Sequence, residues 1–384
     1  MLMTFLIGPA AGIADEGKGQ PSSIHEQQKA CFKILTEALH YPLYNVRSAA
    51  AKALGESQYD AAVPLLATAL SDQNSMVRSF AVEALGEIGS TAMPAGRRTA
   101  IQALIRGVKD SDPYIRGLTL KTLGDQNDPT FDPLLRQGMN DPDPGVRFAA
   151  AVGMAKHGDQ KAVETVIQAL HSPQPQNRTI AAGFLSGSKQ ADILHALVRL
   201  LEDPDPTVRL TAALALGKSG DPGSLEPLLK ALHDEDSSVR AAAAEALGEI
   251  KQPKAIASLK EAMNDSDPLV RIAAAQATAL LSIKPDSRSL KAALKDSDFD
   301  VRASAARALG RIQDRDALPL LAQSLRDPVP RVRIATARSL GMIGGPEALE
   351  ILNAGLSDPD LSVRSYAAGN TLRLLQKTNS KKRE

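Results

Sequence analysis

The chain has 384 residues, no tryptophan and 3% aromatic residues. Because large rings are scarce, the core must form from close contacts between helices that carry small and aliphatic side chains. The formal net charge of +1 provides no overall basic field, which argues against nucleic acid and anionic membranes as partners. Cys31 is the only cysteine, so no disulfide can form within the chain. That composition fits a reducing compartment and equally a disulfide-free exported protein.

The N-terminal segment, residues 1–22, combines an apolar stretch with a polar linker. Residues 1–14 read MLMTFLIGPAAGIA and carry no charged side chain, and DEGKGQPSS follows. This stretch is too short for a transmembrane helix, but its order of apolar, small and polar residues is that of a secretory signal peptide lacking the basic start. The order favours an exported or periplasmic protein. The alternative is a cytoplasmic protein with an apolar N-terminus.

A period of 31 residues organises residues 23–376. An arginine, preceded by valine in most copies, recurs at intervals of 31 residues, with one interval of 38 between Arg78 and Arg116. Such a period indicates an array of repeated units, each of which buries its apolar faces against its neighbours. The repeated arginines are Arg47, Arg78, Arg116, Arg147, Arg178, Arg209, Arg240, Arg271, Arg302, Arg333 and Arg364.

The residues around each arginine predict a short amphipathic helix, which we name the A helix. In the unit of Arg209, the residues Val208, Ala212 and Leu216 share one helical face. Aspartate lies four residues before the arginine in seven units, often followed by proline, as expected of an N-cap and a first helical position. Glycine lies eight residues after it in seven units, where we expect it to end the helix in the left-handed conformation.

A second helix, the B helix, follows each A helix. Segments such as GSLEPLLKAL (223–232) place leucines at helical spacing, and no stretch alternates strongly enough with period two to predict a strand. The expected fold class is therefore all-α, a right-handed α-solenoid of helical hairpins. Stacking about 22 helices in this way predicts a curved rod on the order of 100 Å long.

Segments that depart from the period set the expected domain limits. Residues 23–40 are expected to form a lone B-type helix before about ten full hairpins, and a last A helix is expected to end near residue 376. The polar residues 377–384 would then form a basic tail. The extra residues of the long interval fall in STAMPAGRRTA (90–100), where they should lengthen the A–B loop of the second unit.

The arginines and the cap aspartates define a candidate structural ladder. Each arginine lies one helical turn after an aspartate, and successive caps are expected to stack along the solenoid. A residue that recurs in every layer is expected to support the stacking that all layers have in common, which favours a structural role over anion binding. The residues assigned to this ladder are Arg78, Arg116, Arg147, Arg209, Arg240, Arg271, Arg302, Arg333, Arg364, Asp112, Asp143, Asp205, Asp236, Asp267, Asp298 and Asp360.

One complete unit, DPDPTVRLTAALALGKSGDPGSLEPLLKAL (203–232), resembles the HEAT repeats named after phycobilisome (PBS) lyases, and the resemblance extends over about residues 40–375. It implies a helical-repeat fold. That family includes bilin lyase subunits, the di-iron enzyme deoxyhypusine hydroxylase and many scaffolds. In the hydroxylase, His-Glu pairs directly follow the arginine of several repeats. Here the His-Glu pair, His25–Glu26, precedes the repeats, so the resemblance implies no metal site.

The function expected from the sequence is that of a non-catalytic scaffold for another protein. Core positions recur whereas surface positions vary, which suits recognition of an extended partner on a concave face, expected to be lined by B helices. No catalytic, cofactor-binding or metal-ligating set of residues emerges, and we expect a monomer. The alternative is an enzyme-associated subunit, such as a bilin-lyase-like factor that attaches a chromophore or cofactor.

Overall fold

The protein is built from α-helices joined by short turns. The computed structural model describes residues 24–91, 94–281 and 287–381, and it has no strand within these ranges. No described helix has the length and apolar character needed to cross a membrane. In chain order the helices are α1 (Ile24–Leu39), α2 (Tyr44–Ser57), α3 (Val63–Ala69), α4 (Ser75–Thr91), α5 (Pro94–Ile105), α6 (Pro113–Gly124), α7 (Asp132–Gly138), α8 (Pro144–Lys156), α9 (Gln160–Ala169), α10 (Pro175–Phe184), α11 (Ala191–Arg199), α12 (Pro206–Ser219), α13 (Leu225–Ala231), α14 (Ser237–Glu249), α15 (Ile256–Ala262), α16 (Pro268–Leu281), α17 (Arg288–Ala293), α18 (Phe299–Arg311), α19 (Leu318–Ser324), α20 (Pro330–Ile343), α21 (Pro346–Gly355) and α22 (Leu361–Lys381).

The even-numbered helices carry the repeated arginines and are the A helices, whereas the odd-numbered helices are the B helices. Each B helix packs against the A helix that follows it, and the two form one unit. The predicted all-α solenoid of helical hairpins is thereby confirmed. The predicted signal segment, residues 1–14, lies outside the described residues and stays a prediction.

Local signals in the sequence set where an A helix begins and ends. At the start of α12, the Asp205 carboxylate accepts a hydrogen bond from the backbone N–H of Thr207 at 2.8 Å. Pro206 suits the next position because the first helical residue needs no N–H donor. The helix ends at Gly220, whose φ of 66° is left-handed. The sequence therefore encodes both ends of the helix locally.

The repeated glycine has a different role from the one predicted. Gly217 lies inside α12, and a Cβ on it would sit 2.6 Å from the Cα of Ala246 in α14. The left-handed conformation falls further along, at Gly220 and, in the next unit, at Lys251 with φ of 55°. The prediction that Gly217 and its equivalents close the helix is therefore wrong. Glycine at this place lets two A helices touch backbone to backbone.

Except between α8 and α10, the A helices approach one another more closely than the B helices do. Neighbouring A helices meet through small buried side chains such as Ala243 and Ala246. The B helices carry leucines, such as Leu228, and contact A helices much more than one another. Each unit is therefore a wedge that is narrow at its A helix and wide at its B helix. Stacked wedges curve, and the A helices lie on the inside of the curve.

The wedges close into a ring. The last A helix, α22, packs against both α1 and α2, as α4 packs against both α5 and α6 inside the array. A Cβ on Gly369 would lie 2.4 Å from the carbonyl oxygen of Ala53, and one core cluster contains both Leu35 and Leu372. The prediction of a curved rod is therefore wrong, because it assumed equal spacing in both helix layers. The half-repeats expected at the two ends pack on each other and complete the ring.

The ring encloses a lumen lined by A helices. Eleven side-by-side helices at a spacing of 8–10 Å place their axes on a circle roughly 30 Å across. A helix with its side chains has a radius of about 5 Å, so the free opening is on the order of 20 Å. The concave surface is therefore formed by A helices, and the prediction that B helices line it is wrong. The small residues that allow close packing are on the A helices, which places these helices inside.

The extra residues near 90–100 lengthen two helices rather than a loop. Helix α4 has 17 residues and α5 has 12, against 14 in α2 and 7 in α3. Residues 92–93 lie between α4 and α5, so the predicted long A–B loop is wrong. Pro94 starts α5 at the position where proline is tolerated best, and the added residues on both sides continue the helices.

The last helix also extends further than predicted. We expect α22 to end near residue 376, but it continues to Lys381. Residues 377–381 read KTNSK and contain neither glycine nor proline, so nothing in this segment breaks the helix. The predicted tail at 377–384 is therefore wrong for the part that the structure describes.

Candidate functional site

The cap aspartates of the predicted ladder lie at the starts of their A helices. Each accepts a hydrogen bond from the backbone N–H two residues later, at 2.7–2.9 Å. This contact satisfies a helix donor and places a negative charge at the positive end of the helix dipole. These caps are Asp112, Asp143, Asp205, Asp236, Asp267, Asp298 and Asp360.

The ladder arginines bind a different aspartate, which belongs to the following unit. The Arg240 guanidinium donates from Nε and Nη2 to the two carboxylate oxygens of Asp265, at 2.7 and 2.9 Å. Its Nη1 donates to the carbonyl oxygens of Asp234 and Glu235, in the turn that precedes its own helix. Each such arginine fixes the turn of its own unit and joins it to the turn of the next.

This bidentate contact recurs around most of the ring. The partners are largely shielded from solvent; in the Arg333–Asp358 pair, 11% and 7% of the side chains remain exposed. The pairs are Arg47–Asp72, Arg78–Asp110, Arg116–Asp141, Arg178–Asp203, Arg209–Asp234, Arg240–Asp265, Arg302–Asp327 and Arg333–Asp358. The sequence signal for this second aspartate was present, since aspartate lies six residues before the arginine in nine units.

The arginines keep the paired carboxylates ionised. Hydrogen bonds from Arg240 hold the pKa of Asp265 below its ordinary value. Burial acts to raise the pKa of Asp234, but the hydrogen bonds from Arg209 and from the backbone N–H of Asp236 outweigh it, and the pKa is lowered. These pairs are therefore charged at neutral pH.

Three junctions of the ring lack this contact. Arg147 faces a unit that has Ser172 in place of the aspartate, and its Nη1 donates to backbone carbonyl oxygens alone. Arg271 and Arg364 likewise make no ion pair in the described part of the chain, and the residue opposite Arg364 across the closing junction is Tyr41. The closing junction is therefore held by other contacts.

The lumen wall consists of variable positions on the A helices. Arg311 of α18 forms ion pairs with Glu245 and Glu249 of α14, which is possible only across the concave side because α16 lies between the two helices. These residues lie five and nine positions after the ladder arginine of their units. The same positions hold charged, polar or apolar residues in other units, as in Leu214 and Gln276. Sequence reasoning missed them because it followed the residues that recur.

Arginines concentrate on one side of the lumen. These residues, on α18, α20 and α22, are Arg307, Arg311, Arg331, Arg338 and Arg373. Arg331 pairs with Asp300 at 2.9 Å, and Arg338 pairs with Glu56 of α2 at 2.7 Å across the ring closure. Arg307 and Arg373 form no ion pair within the described ranges. This side of the lumen therefore carries an excess of positive charge.

The neighbouring helices α2 and α4 present carboxylates to the lumen. Burial raises the pKa of Glu56, although the charges of Arg338 and Lys52 act against it. Burial also raises the pKa of Glu87, and the nearby charges of Glu56 and Glu83 raise it further. Glu83 remains solvent-exposed. The lumen is therefore electrostatically polarised, with a basic side that meets an acidic side at the ring closure.

Among the described residues there is no cluster suited to metal binding, and the Cys31 thiol is buried. No group of three or more His, Cys, Asp or Glu side chains that could hold a metal occurs among them. His25 and Glu26 lie in α1 rather than beside a repeated arginine. Cys31 is buried, and burial raises the pKa of its thiol to about 12, so the thiol stays protonated and is a poor nucleophile.

Stacked helical hairpins with one repeating period define a class of protein, the α-solenoid repeat proteins. A model of HEAT repeats matches residues 32–106, 98–186, 163–243, 193–279 and 287–373. The chain belongs to the HEAT-repeat family. Among curated proteins no match was found.

Several solved structures are similar to the chain. An engineered protein is 21% identical, covering 90% of this chain and 99% of its own, with a TM-score of 0.29. Human deoxyhypusine hydroxylase is 19% identical, covering 83% and 97%, with a TM-score of 0.35. Kap121p bound to Pho4p is 15% identical, covering 90% of this chain but 46% of its own, with a TM-score of 0.40. At these identities and TM-scores the neighbours support no statement about function.

Proposed function

We propose that this protein is a non-catalytic scaffold that binds a segment of another protein in the lumen of its ring. The supporting observation is the contrast between constant and variable positions on the A helices. Core residues such as Ala243 and Leu247 recur from unit to unit, whereas the lumen residues Glu245, Gln276 and Arg307 differ in charge and polarity. A fixed frame with a varied inner surface suits specific recognition.

The size of the lumen limits what can enter it. An opening on the order of 20 Å admits an extended segment or a single α-helix, whose diameter with side chains is about 10–12 Å. A folded domain of ordinary size, with a radius of gyration of about 13 Å for 100 residues, is too wide. The proposed partner therefore presents a terminus or a long loop, and the ring acts as a monomer.

The repeat pattern supports a finer assignment within the family. The Asp-Pro cap, the Val-Arg pair and the Ala-Leu-Gly end of units such as 203–232 resemble the PBS-lyase type of HEAT repeat. We propose this subtype for the whole array. It does not change the proposed function, because function depends on the site rather than on the fold.

The proposal is tested by comparing the two sides of the ring. Tagged protein captures a partner from the native source, and the affinity of the purified partner is then measured for lumen and outer-surface variants. Glu83→Ala removes a lumen carboxylate of α4, and Tyr114→Ala removes an exposed side chain of α6 at the position that the lumen residue Arg331 holds in α20. Lys260→Ala removes an exposed side chain of the outer helix α15. We expect the first two to weaken binding by roughly tenfold and the third to leave it unchanged. The reverse pattern would refute the lumen as the binding surface.

A further inference from the structure

A cavity of about 450 Å³ lies in the lumen wall between α12, α14, α16 and α18. Its apolar part includes Leu210, Leu214, Leu269 and Ile272. Leu269 is 40% exposed, and covering an exposed leucine side chain with apolar groups is favourable. The cavity therefore offers apolar surface that a ligand can cover.

Arg307 is a positive charge at the edge of this cavity that has no carboxylate partner. Its Nη2 donates to the Ser304 hydroxyl at 2.8 Å, and it forms no ion pair in the described part of the chain. The side chain is half-buried. The remaining N–H groups of this guanidinium can donate hydrogen bonds to an incoming anion. Such charge-assisted hydrogen bonds are strong at a half-buried position.

The carboxylates nearest to Arg307 are already engaged elsewhere. Glu245 is paired with Arg311, and Asp300 is paired with Arg331 at 2.9 Å. Burial lowers the pKa of Arg307, and the positive charges of Arg331 and Arg338 lower it further. The surroundings therefore disfavour the positive charge of Arg307, and an anion placed beside it would be attracted to this guanidinium.

The cavity is elongated along the lumen wall. It extends over four A helices, whose three steps of about 33° span a chord of roughly 15 Å on the wall of an opening about 20 Å wide. An extended peptide advances about 3.3 Å per residue, so about five residues would fill that length. A small anion would cover only the Arg307 end. The hydroxyl groups of Ser237 and Ser238, together with the amide of Gln276, also line the cavity and can serve a peptide backbone.

We propose that this cavity binds an extended acidic segment of a partner protein, with apolar side chains against the leucines and a carboxylate on Arg307. The chemistry that identifies the segment is a set of apolar residues at every second position followed by an acidic residue at the same spacing, since alternate side chains of an extended chain share one face. This inference rests on the proposed scaffold function and names the kind of segment that its lumen takes.

The test uses the full chain and synthetic peptides. A fluorescein-labelled peptide of about five residues, with leucine at the first and third positions, glutamate at the fifth and serine between them, is titrated with protein, and fluorescence anisotropy reports binding. We expect saturable binding, and binding weaker by roughly tenfold or more when glutamine replaces glutamate, because the charge-assisted contact is lost. The affinity should also fall with added salt.

Variants of Arg307 connect the binding to this residue. Arg307→Met should weaken binding of the leucine–glutamate peptide by roughly tenfold while the melting temperature stays equal to or above that of the wild type, because a charge that its surroundings disfavour has been removed. Arg307→Glu should bind a leucine–lysine peptide instead. Arg326→Met, at an exposed arginine after the outer helix α19, is the matched control and should bind as the wild type does.

Several outcomes would overturn the inference. Equal affinities for the glutamate and glutamine peptides would do so, and so would an unchanged affinity in Arg307→Met. Displacement of the peptide by laurate or inorganic phosphate at similar concentrations would indicate that the ligand is a lipid or a simple anion instead. The scaffold proposal is tested separately with the purified partner. If Tyr114→Ala loses the partner but Arg307→Met keeps it, the scaffold proposal stands and this inference fails.

Discussion

Most A helices are followed by a residue with left-handed backbone, and the energetic cost of that conformation depends on which residue adopts it. Gly220 adopts a φ of 66° and Gln313 a φ of 54° at equivalent positions. A side chain in this conformation costs roughly 1–2 kcal/mol, whereas glycine adopts it freely. The structure therefore contains two equivalent backbone positions with positive φ. One is occupied by glycine, which adopts this conformation freely, and the other by glutamine, which does not.

Exchanging these residues should change stability in opposite directions. Gln313→Gly is expected to raise the free energy of unfolding by about 0.5–1 kcal/mol, because relief of strain exceeds the added entropy of the unfolded chain. Gly220→Ala should lower it by about 1 kcal/mol. Urea denaturation of both variants measures the two changes. If both substitutions raised the free energy of unfolding, or both lowered it, the proposed difference in backbone strain would be wrong.

The ladder pairs make a second prediction at the residue scale. Arg240→Ala leaves the Asp265 carboxylate, which is 14% exposed, without its bidentate donor, and should lower the free energy of unfolding by about 1–3 kcal/mol. Partner binding in the lumen should persist. Arg271→Ala is the matched control, since Arg271 makes no ion pair among the described residues, and it should cost less. Lost binding with an unchanged melting temperature in Arg240→Ala would assign the ladder to ligand recognition instead.

The same variant has a pH dependence with a definite sign. The pKa of Asp265 is lowered in the folded protein by Arg240, so the pair contributes stability above the unfolded pKa, near 3.9. That contribution is lost as the pH falls through the folded value. The difference in unfolding free energy between the wild type and Arg240→Ala should therefore shrink in acid. A difference that stays constant down to a pH of about 2 would show that the charge of Asp265 is not involved.

At the scale of helices, the sequence predicts what local signals encode. The cap at Asp205 and the arginine period place the A helices, because capping and amphipathic spacing act within one helix. The link from Arg240 to Asp265 was missed, since it depends on how one unit stacks on the next. The lumen residue Arg307 was missed for a related reason: a variable position carries no periodic signal, and its role appears only when four helices surround a cavity.

The closing junction is held by helix contacts and by an ion pair between Arg338 and Glu56 rather than by the ladder. Helix α20 reaches α2 through Arg338 and Glu56, whose nitrogen and oxygen lie 2.7 Å apart. The Arg338 guanidinium also lies over the Tyr366 ring, 5.8 Å from its centroid. Burial raises the pKa of Glu56 despite this partner, so the surroundings disfavour its negative charge.

This imbalance predicts unequal effects for the two partners of the ion pair. Glu56→Gln keeps the shape and removes the disfavoured charge, so the free energy of unfolding should change by less than about 1 kcal/mol. Arg338→Gln leaves Glu56 buried without its partner and should cost about 1–3 kcal/mol. Folding favours the protonated form of Glu56, because its pKa is raised in the folded protein. The free energy of unfolding of Arg338→Gln should therefore fall as the pH rises through the pKa of folded Glu56. Chemical denaturation at two pH values tests both points, and a larger loss in Glu56→Gln would contradict them.

At the scale of the whole molecule, closure depends on the sum of small rotations. Eleven units complete a circle at about 33° each, and a solenoid with a slightly smaller rotation per repeat would remain open. No single unit encodes that sum, which is why the sequence predicted a rod. Closure also gives every unit two neighbours, so the array has no exposed end that needs a capping repeat.

The ring makes a final prediction, which concerns its shape in solution. Gly369 of α22 touches the Ala53 carbonyl oxygen, and a Cβ there would lie 2.4 Å away, so Gly369→Leu should separate α22 from α2 and open the ring. Gly183→Leu is the matched control, because a Cβ on Gly183 meets only the Thr211 methyl group at 3.8 Å. Small-angle scattering should show a particle roughly 60 Å across for the wild type and the control, and a longer particle with retained helical signal for Gly369→Leu. An elongated wild-type particle, or identical scattering from all three proteins, would show that the ends do not close on each other in solution.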